Sequence, residues 1–470
     1  MRLLNKIGLI GILGLSSLVG GSYSTSAYAK DAEERQPKIV KSYEKAVKAE
    51  INKLTSQKPD ERNDLRKSLQ NRIRAEDKLE NAINLAYTQI NALEEFAKAE
   101  KLPLDQDYFK EQKEFLKNID ASAREVQLQE LTPFRECETP VFNIYGKSRQ
   151  ALKERELEKQ EIKTPNGYKL IPEDFFDKGT EEKEVKTIIG WLKENSPSFL
   201  QGQVFEFTEQ CWLSERPYSN PVFLKDFYIM ERPVTNKEMK EFFDSDFAKK
   251  KGLKPFYKED AKEYLNNLGL KKDDIEREFE HSKKGMWNKE SKSFPEGQGD
   301  LISLFNDLEI TQAYAEWKGA RLATEEEFEK ANRGLDNRVY PWGNKFQAYH
   351  TNVRKLDIGA TVSIQDVNLL EDTKYKSTFG VKFGGLFGCL VKKNNENTST
   401  INKNMVVIKG WKGRNYTGYS GNPGFRQRIS GRNERVDDKL GRGWTIVLVK
   451  DVPKIEKTKV VKETGMKEIK

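Results

Sequence analysis

Histidine is nearly missing from this chain: its 470 residues include two, His281 and His350. A facial triad of two histidines and a carboxylate would need both to converge, and a zinc site is disfavoured on the same count. His281 ends a charged helical stretch and His350 adjoins a loop, so both are expected to be solvated. Cysteine is almost as scarce. Cys137, Cys211 and Cys389 lie far apart, without the spacing of a metal knuckle. Export would let two of them pair and leave one over; the reading preferred here is three isolated, buried side chains. Beyond the N-terminus no apolar run is long enough to span a bilayer. Phosphate-binding Gly-rich loops, a Gly-x-Ser-x-Gly elbow and a His-Glu-x-x-His pair are all lacking. No spacing marks two acidic residues as a paired acid and base. An Arg/aromatic cluster of the kind a nucleic-acid module needs is missing too, so the net charge of +8 reads as a Lys-rich solvated surface with no nucleic-acid partner.

What is there is charge and modest apolar supply: 33% charged and 36% hydrophobic residues, with length for two or three domains. Residues 1–29 read as a signal peptide. Arg2 and Lys6 precede an apolar core from Ile7 to Val19, and Ala27-Tyr28-Ala29 supplies a small-x-small cleavage site. The expected product is exported, periplasmic or extracellular, with no membrane span after cleavage. Residues 30–130 read as helical. Ile39, Tyr43, Val47, Ile51 and Leu54 form one stripe, and Pro59 breaks it. A second helix carries Leu65, Leu69, Ile73, Leu79, Ile83, Ala86, Ile90 and Leu93 in near-heptad spacing. Leu102-Pro103 breaks again, and a third helix begins from Tyr108 to Ile119. This is an all-α hairpin or bundle packing on itself, or a coiled-coil arm for a partner or for oligomer formation. Residues 131–199 read as a connector, 244–300 as a charged insertion, and 451–470 as a Lys-rich tail.

The most informative stretch is 313–343, AYAEWKGARLATEEEFEKANRGLDNRVYPWG. Ala313, Tyr314 and Trp317 share a helix face and Gly319 ends that helix. A second helix opens at Thr324 with Glu327 three residues on, the pattern of a capping box. Phe328 and Ala331 supply its buried side, and Gly334 stops it. Upstream, Phe227-Tyr228-Ile229 leads to Pro233-Val234-Thr235-Asn236, where Thr235 or Asn236 caps a helix with Met239 and Phe242 turned inward. Downstream come Val406 to Trp411, Phe425-Arg426-Gln427-Arg428, and Gly443 to Leu448.

These segments, in this order, resemble the formylglycine-generating enzyme-like (sulfatase-modifying factor) family. Its Arg-Leu-Pro-Thr-Glu-x-Glu-Trp-Glu signature is matched by Arg321, Leu322, Thr324, Glu325, Glu327 and Glu329, with Ala323 in place of Pro and Phe328 in place of Trp. Its Pro-Trp-Gly loop is matched at 341–343. The resemblance covers 200–450 and implies an α+β, loop-rich, C-type-lectin-like fold after the helical region. Members that make formylglycine oxidise a protein cysteine, using two cysteines near the C-terminus to hold copper(I). Here the matching interval, 410–444, contains no Cys, and Cys389 stands at the Asn of a Gly-Asn-Val-Trp element. An iron-using branch needs histidines from its helical domain, where this chain has none. Calcium is the cofactor the resemblance leaves open, through Asn352, although Lys392 stands where a carboxylate would serve a hard cation; no other cofactor is expected.

Residues 410–428, GWKGRNYTGYSGNPGFRQR, occupy the position that lines the family's substrate groove. Aromatic and adaptable polar side chains of this kind make a binding face. Trp411, Arg414, Tyr416, Tyr419, Arg426 and Arg428 are the expected ligand contacts, or else structural packing and ion-pair partners. The expectation is an exported, non-catalytic binding or assembly module for a protein, peptide or glycan ligand. The alternatives are a divergent oxidase converting a protein cysteine to formylglycine, or a structural cell-envelope component using the helical arm.

Overall fold

In this computed structural model residues 40–125, 132–179, 221–255, 287–300 and 307–336 are described, together with scattered positions between 257 and 276 and short stretches within 302–305, 338–344, 378–393, 406–409, 432–433 and 444–453. The expected signal peptide, the Lys-rich tail and Cys211 lie outside the described residues.

The described residues begin with five α-helices: α1 (40–51), α2 (Pro59–Arg74), α3 (Leu79–Ala99), α4 (Gln106–Glu125) and α5 (Thr132–Glu158). Val47, Ile51 and Leu54 of the first stripe are buried, as the spacing implies. Pro59 starts α2 rather than merely ending α1, because at the first helical position its missing N–H would have had no partner anyway. The expected second helix is two. The polar run Ala75-Glu76-Asp77-Lys78 turns the chain between α2 and α3, so Leu65, Leu69 and Ile73 meet Leu85, Ile90 and Leu93 across a helix pair.

The segment expected as a connector differs most. It holds α5, a 27-residue helix that packs against α2, α3 and α4. From Arg135 to Gln150 all but Asn143 and Lys147 are buried, so α5 is the bundle's central rod. A helix buried all round shows no polar stripe, and Pro140 sits inside it.

Among the described residues ten strands follow in three sheets. β1 (Tyr168–Ile171), β4 (Phe227–Met230), β10 (Leu448–Asp451) and β5 (Arg321–Leu322) lie side by side in that order, all antiparallel. β2 (Asp174–Phe176) and β3 (Val222–Leu224) form a pair. β6 (Cys389–Lys392) lies between β7 (Val406–Lys409) and β9 (Thr445–Ile446), and β8 (Arg432–Asn433) flanks β7. Helices α6 (Asn236–Asp244), α7 (Asp246–Lys250), α8 (Leu308–Trp317) and α9 (Glu325–Arg333) complete the described elements.

Alternation along the strands sorts the side chains into two cores. Phe227, Ile229, Cys389, Val391, Val447 and Val449 join Phe328, Ala331 and the bundle's apolar residues in one continuous core. Met230, Leu390, Ile446 and Leu448 face an aromatic core with Phe242, Trp287, Phe305, Tyr314 and Trp444. There Phe242 sits 5.3 Å from Tyr314 and 5.5 Å from Trp317, in tilted and edge-on contacts. With both faces covered, β6 and β10 need no polar alternation. Fold class is therefore α+β with a helical N-terminal region.

Candidate functional site

The signature helix α9 is built as its sequence implies. Thr324 accepts from the Glu327 amide at 3.2 Å, and the Glu327 carboxylate accepts from the Thr324 amide at 2.8 Å. Gly334 ends the helix at φ 76°, and Gly319 ends α8 at φ 57°. Arg321 donates to both Glu327 oxygens, at 2.8 and 2.7 Å, and to Asp451 at 2.8 Å, tying β5 to the cap and to β10. At α6 the N-cap is Thr235, with Glu238 closing the second capping box.

The charges of α9 do not face a groove. Glu325, Glu327, Glu329, Lys330 and Arg333 are all buried. Lys178 bridges Glu325 at 3.3 Å and Glu326 at 2.7 Å. Glu329 accepts the Gly179 amide, and Arg333 donates to the carbonyls of Asp177, Gly179 and Arg338. Lys330 donates to the carbonyls of Pro172, Asp174 and Leu224 at 2.7, 3.1 and 3.4 Å. Its burial pulls the ammonium down to about 8, against the pull of Asp174, Asp226 and Glu173. The part of the sequence that most resembles the family thus clamps residues 172–179. Lys330 is the clamp residue that sequence reading missed, since nothing local distinguishes it from a solvated lysine.

The two described thiols, Cys137 and Cys389, are buried and free. Cys389, at the centre of its sheet, is wholly buried and lies 3.1 Å from the Thr445 hydroxyl. Burial pushes its thiol up to about 12. Cys137 on α5 is also free and buried, and likewise pushed up to about 12. A copper(I) ion wants two converging thiolates. Here one thiol sits in each of two separate elements, each held neutral, and 410–444 supplies none. Among the described residues, the thiols do not fit that ion. Among the described residues no three His, Cys, Asp or Glu side chains are placed to hold a metal, and no helix is long and apolar enough to cross a membrane.

Of the expected site residues, Trp411, Arg414, Tyr416, Tyr419, Arg426 and Arg428 lie outside the described residues, as do Asn352, His281 and His350. Their frame is described. β7 and β8 pair antiparallel, with Ile408 opposite Asn433 and Lys409 opposite Arg432, so the segment that holds the six expected residues starts and ends on neighbouring strands.

Fold and frame together define a mixed helix-and-sheet domain seated on a helical bundle, with a capped acidic helix as its clamp. Residues 192–368 match the model of the sulfatase-modifying factor enzyme 1-like domain. The chain is also 34% identical over 148 residues to the mouse (Mus musculus) protein called inactive C-alpha-formylglycine-generating enzyme 2, covering 28% of this chain and 45% of that one. The bovine (Bos taurus) protein of the same name is 34% identical over 147 residues, covering 28% and 46%. The chain spans about half the length of the curated relatives it matches. By these matches the chain is similar to the formylglycine-generating enzyme-like family, as a divergent relative.

Proposed function

We propose that this chain is an exported, non-catalytic formylglycine-generating enzyme-like protein that acts as a binding or assembly module. The observation that carries the reading is the state of Cys389: buried, neutral, beside Thr445 and without a second sulfur in 410–444. The relatives named as inactive enzymes support it. A thiolate is the form that binds a soft metal or attacks, and burial in an apolar core opposes it. Ligand contact is assigned to Trp411, Arg414, Tyr416, Tyr419, Arg426 and Arg428, on a C-type-lectin-like face, and the ligand is a protein, peptide or glycan. Asn352 is the residue through which calcium would bind. Arg2, Lys6 and the Ile7–Val19 run support export.

Two measurements test this. Oxygen uptake with a Cys-containing peptide and added copper should stay at background. Turnover that is lost in Cys389→Ser would replace the binding reading with the divergent oxidase. On a glycan or peptide array, Trp411→Ala and Arg426→Ala should each weaken the captured ligand about tenfold or more. Wild-type binding by both variants would move the ligand face elsewhere.

A further inference from the structure

The link from α5 to β1 ends in the chain's one Asn-Gly pair, Asn166-Gly167. Residues 165–168 form a tight turn, in which the Tyr168 N–H donates to the Pro165 carbonyl at 3.1 Å. Gly167 takes φ 77°, in the left-handed region, and a Cβ built on it would meet nothing within 4 Å. Asn166 and Gly167 are both exposed. Among the described residues no hydrogen bond holds the Asn166 side-chain amide.

This turn is also the mouth of β1. The Gly167 carbonyl accepts from the Glu231 N–H at 2.8 Å, one rung beyond the Tyr168–Met230 pair. Lys169 reaches Glu231 at 3.5 Å, and the Lys450 ammonium lies 5.1 Å from the centre of the Tyr168 ring. The backbone on either side of Asn166 is therefore held, while its side chain is free to turn onto the next amide nitrogen. Exposed asparagines inside helices differ. At Asn71 of α2 and Asn91 of α3 the following N–H belongs to the helical ladder, and the following residue carries a Cβ.

We propose that Asn166 is a self-modification site, at which the Gly167 backbone displaces the side-chain amide and the residue ages to isoaspartate, loosening the mouth of β1. The Gly167 nitrogen gives up its proton to solvent base and attacks Asn166 Cγ. The N–Cγ bond forms, the Cγ–Nδ2 bond breaks, and the side-chain nitrogen takes a proton and leaves as ammonia. Water then opens the cyclic imide. Opening at the side-chain carbonyl gives aspartate; opening at the main-chain carbonyl gives isoaspartate. No oxidant or reductant is consumed. Isoaspartate places an extra methylene in the main chain just before Gly167. Strand register is set residue by residue, so the insertion draws the Gly167 carbonyl away from Glu231.

Ageing the full chain in mildly alkaline buffer, followed by peptide mapping with electron-transfer fragmentation, reads this directly. Asn166 should lose its amide about tenfold or more faster than Asn71 or Asn91, and isoaspartate should appear together with aspartate. Gly167→Ala should slow the loss about tenfold. Equal rates at the three asparagines, aspartate as the only product, or unslowed loss in the variant overturns the proposal. If Gly167→Ala fails to fold, Asn166→Gln takes its place: its longer side chain must close a larger ring, and undiminished ammonia loss there overturns the route. Hydrogen exchange at the Glu231 amide should quicken in the isoaspartate form and stay at the fresh wild-type rate in Asn166→Asp, which carries the charge without the methylene. Unchanged Glu231 protection in the isoaspartate form overturns the loosening of β1.

Discussion

At Lys330 one ammonium meets three carbonyls, and that number fixes what a substitution does. Methionine fills the same volume but leaves the carbonyls of Pro172, Asp174 and Leu224 without a donor, each worth about 1–3 kcal/mol when buried and unsatisfied. Lys330→Met should therefore lower unfolding free energy by several kcal/mol, on the order of 3, measured by denaturant titration at pH 7. The same residue sets a pH dependence. Its folded value lies at about 8 and its unfolded value at 10.5, so between them the unfolded chain binds the extra proton and stability rises with pH. The gap between the thermal midpoints of wild type and variant should widen across that window; parallel curves would count against it. Thr324 and Glu327 were legible from sequence because a capping box is closed within four residues. Lys330 was not, because its acceptors come from 172–174 and from 224, far along the chain.

Among the elements, α5 sets the strongest constraint. Replacing a helical glycine by alanine ordinarily stabilises by up to about 1 kcal/mol. At Gly146 the added carbon would stand 2.7 Å from the Thr378 methyl, and overpacking of that kind costs about 1–3 kcal/mol. Overpacking wins, so Gly146→Ala should destabilise by roughly 1 kcal/mol net. Thr378→Ser removes the offending methyl and keeps the hydroxyl for Asn143, so the double variant should regain the loss. A double-mutant cycle by thermal unfolding checks both signs. α5 also shows where periodicity stops informing. Arg135, Glu136, Glu138, Arg149 and Gln150 are buried beside Val141, Phe142 and Tyr145, and their partners come from other helices and from the domain. With polar and apolar residues on every face, the 3.6-residue stripe vanishes, and Pro140 and Gly146 imitate connector composition. α1 to α4, each apolar on one side, were readable.

For the whole molecule, the shared core decides whether the helices are an arm or a foundation. Val47, Leu69, Leu93 and Phe142 lie in one cluster with Phe227, Phe328 and Val449. Arg62 and Arg66 of α2, both nearly inaccessible, reach Glu173 at 3.1 Å and Asp177 at 3.0 Å across the seam. Removing residues 31–130 would strip the apolar cover from that core and orphan those carboxylates. The truncated chain should lack cooperative unfolding by circular dichroism, while the intact chain should melt in a single transition. A truncated chain with its own sharp transition would restore the arm. The expected ligand face rests on its order among recognised segments and lies outside the described residues; side-chain convergence is a long-range property that composition does not encode.

The antiparallel neighbours β7 and β8 carry a last consequence. Lys409 and Arg432 are cross-strand partners, so the segment between them starts and ends about 5 Å apart. Closing a longer or rewritten excursion across so narrow a gate costs only a logarithmic increment. Selection can therefore rewrite that segment as an exchangeable cassette, leaving the two strands that anchor it untouched.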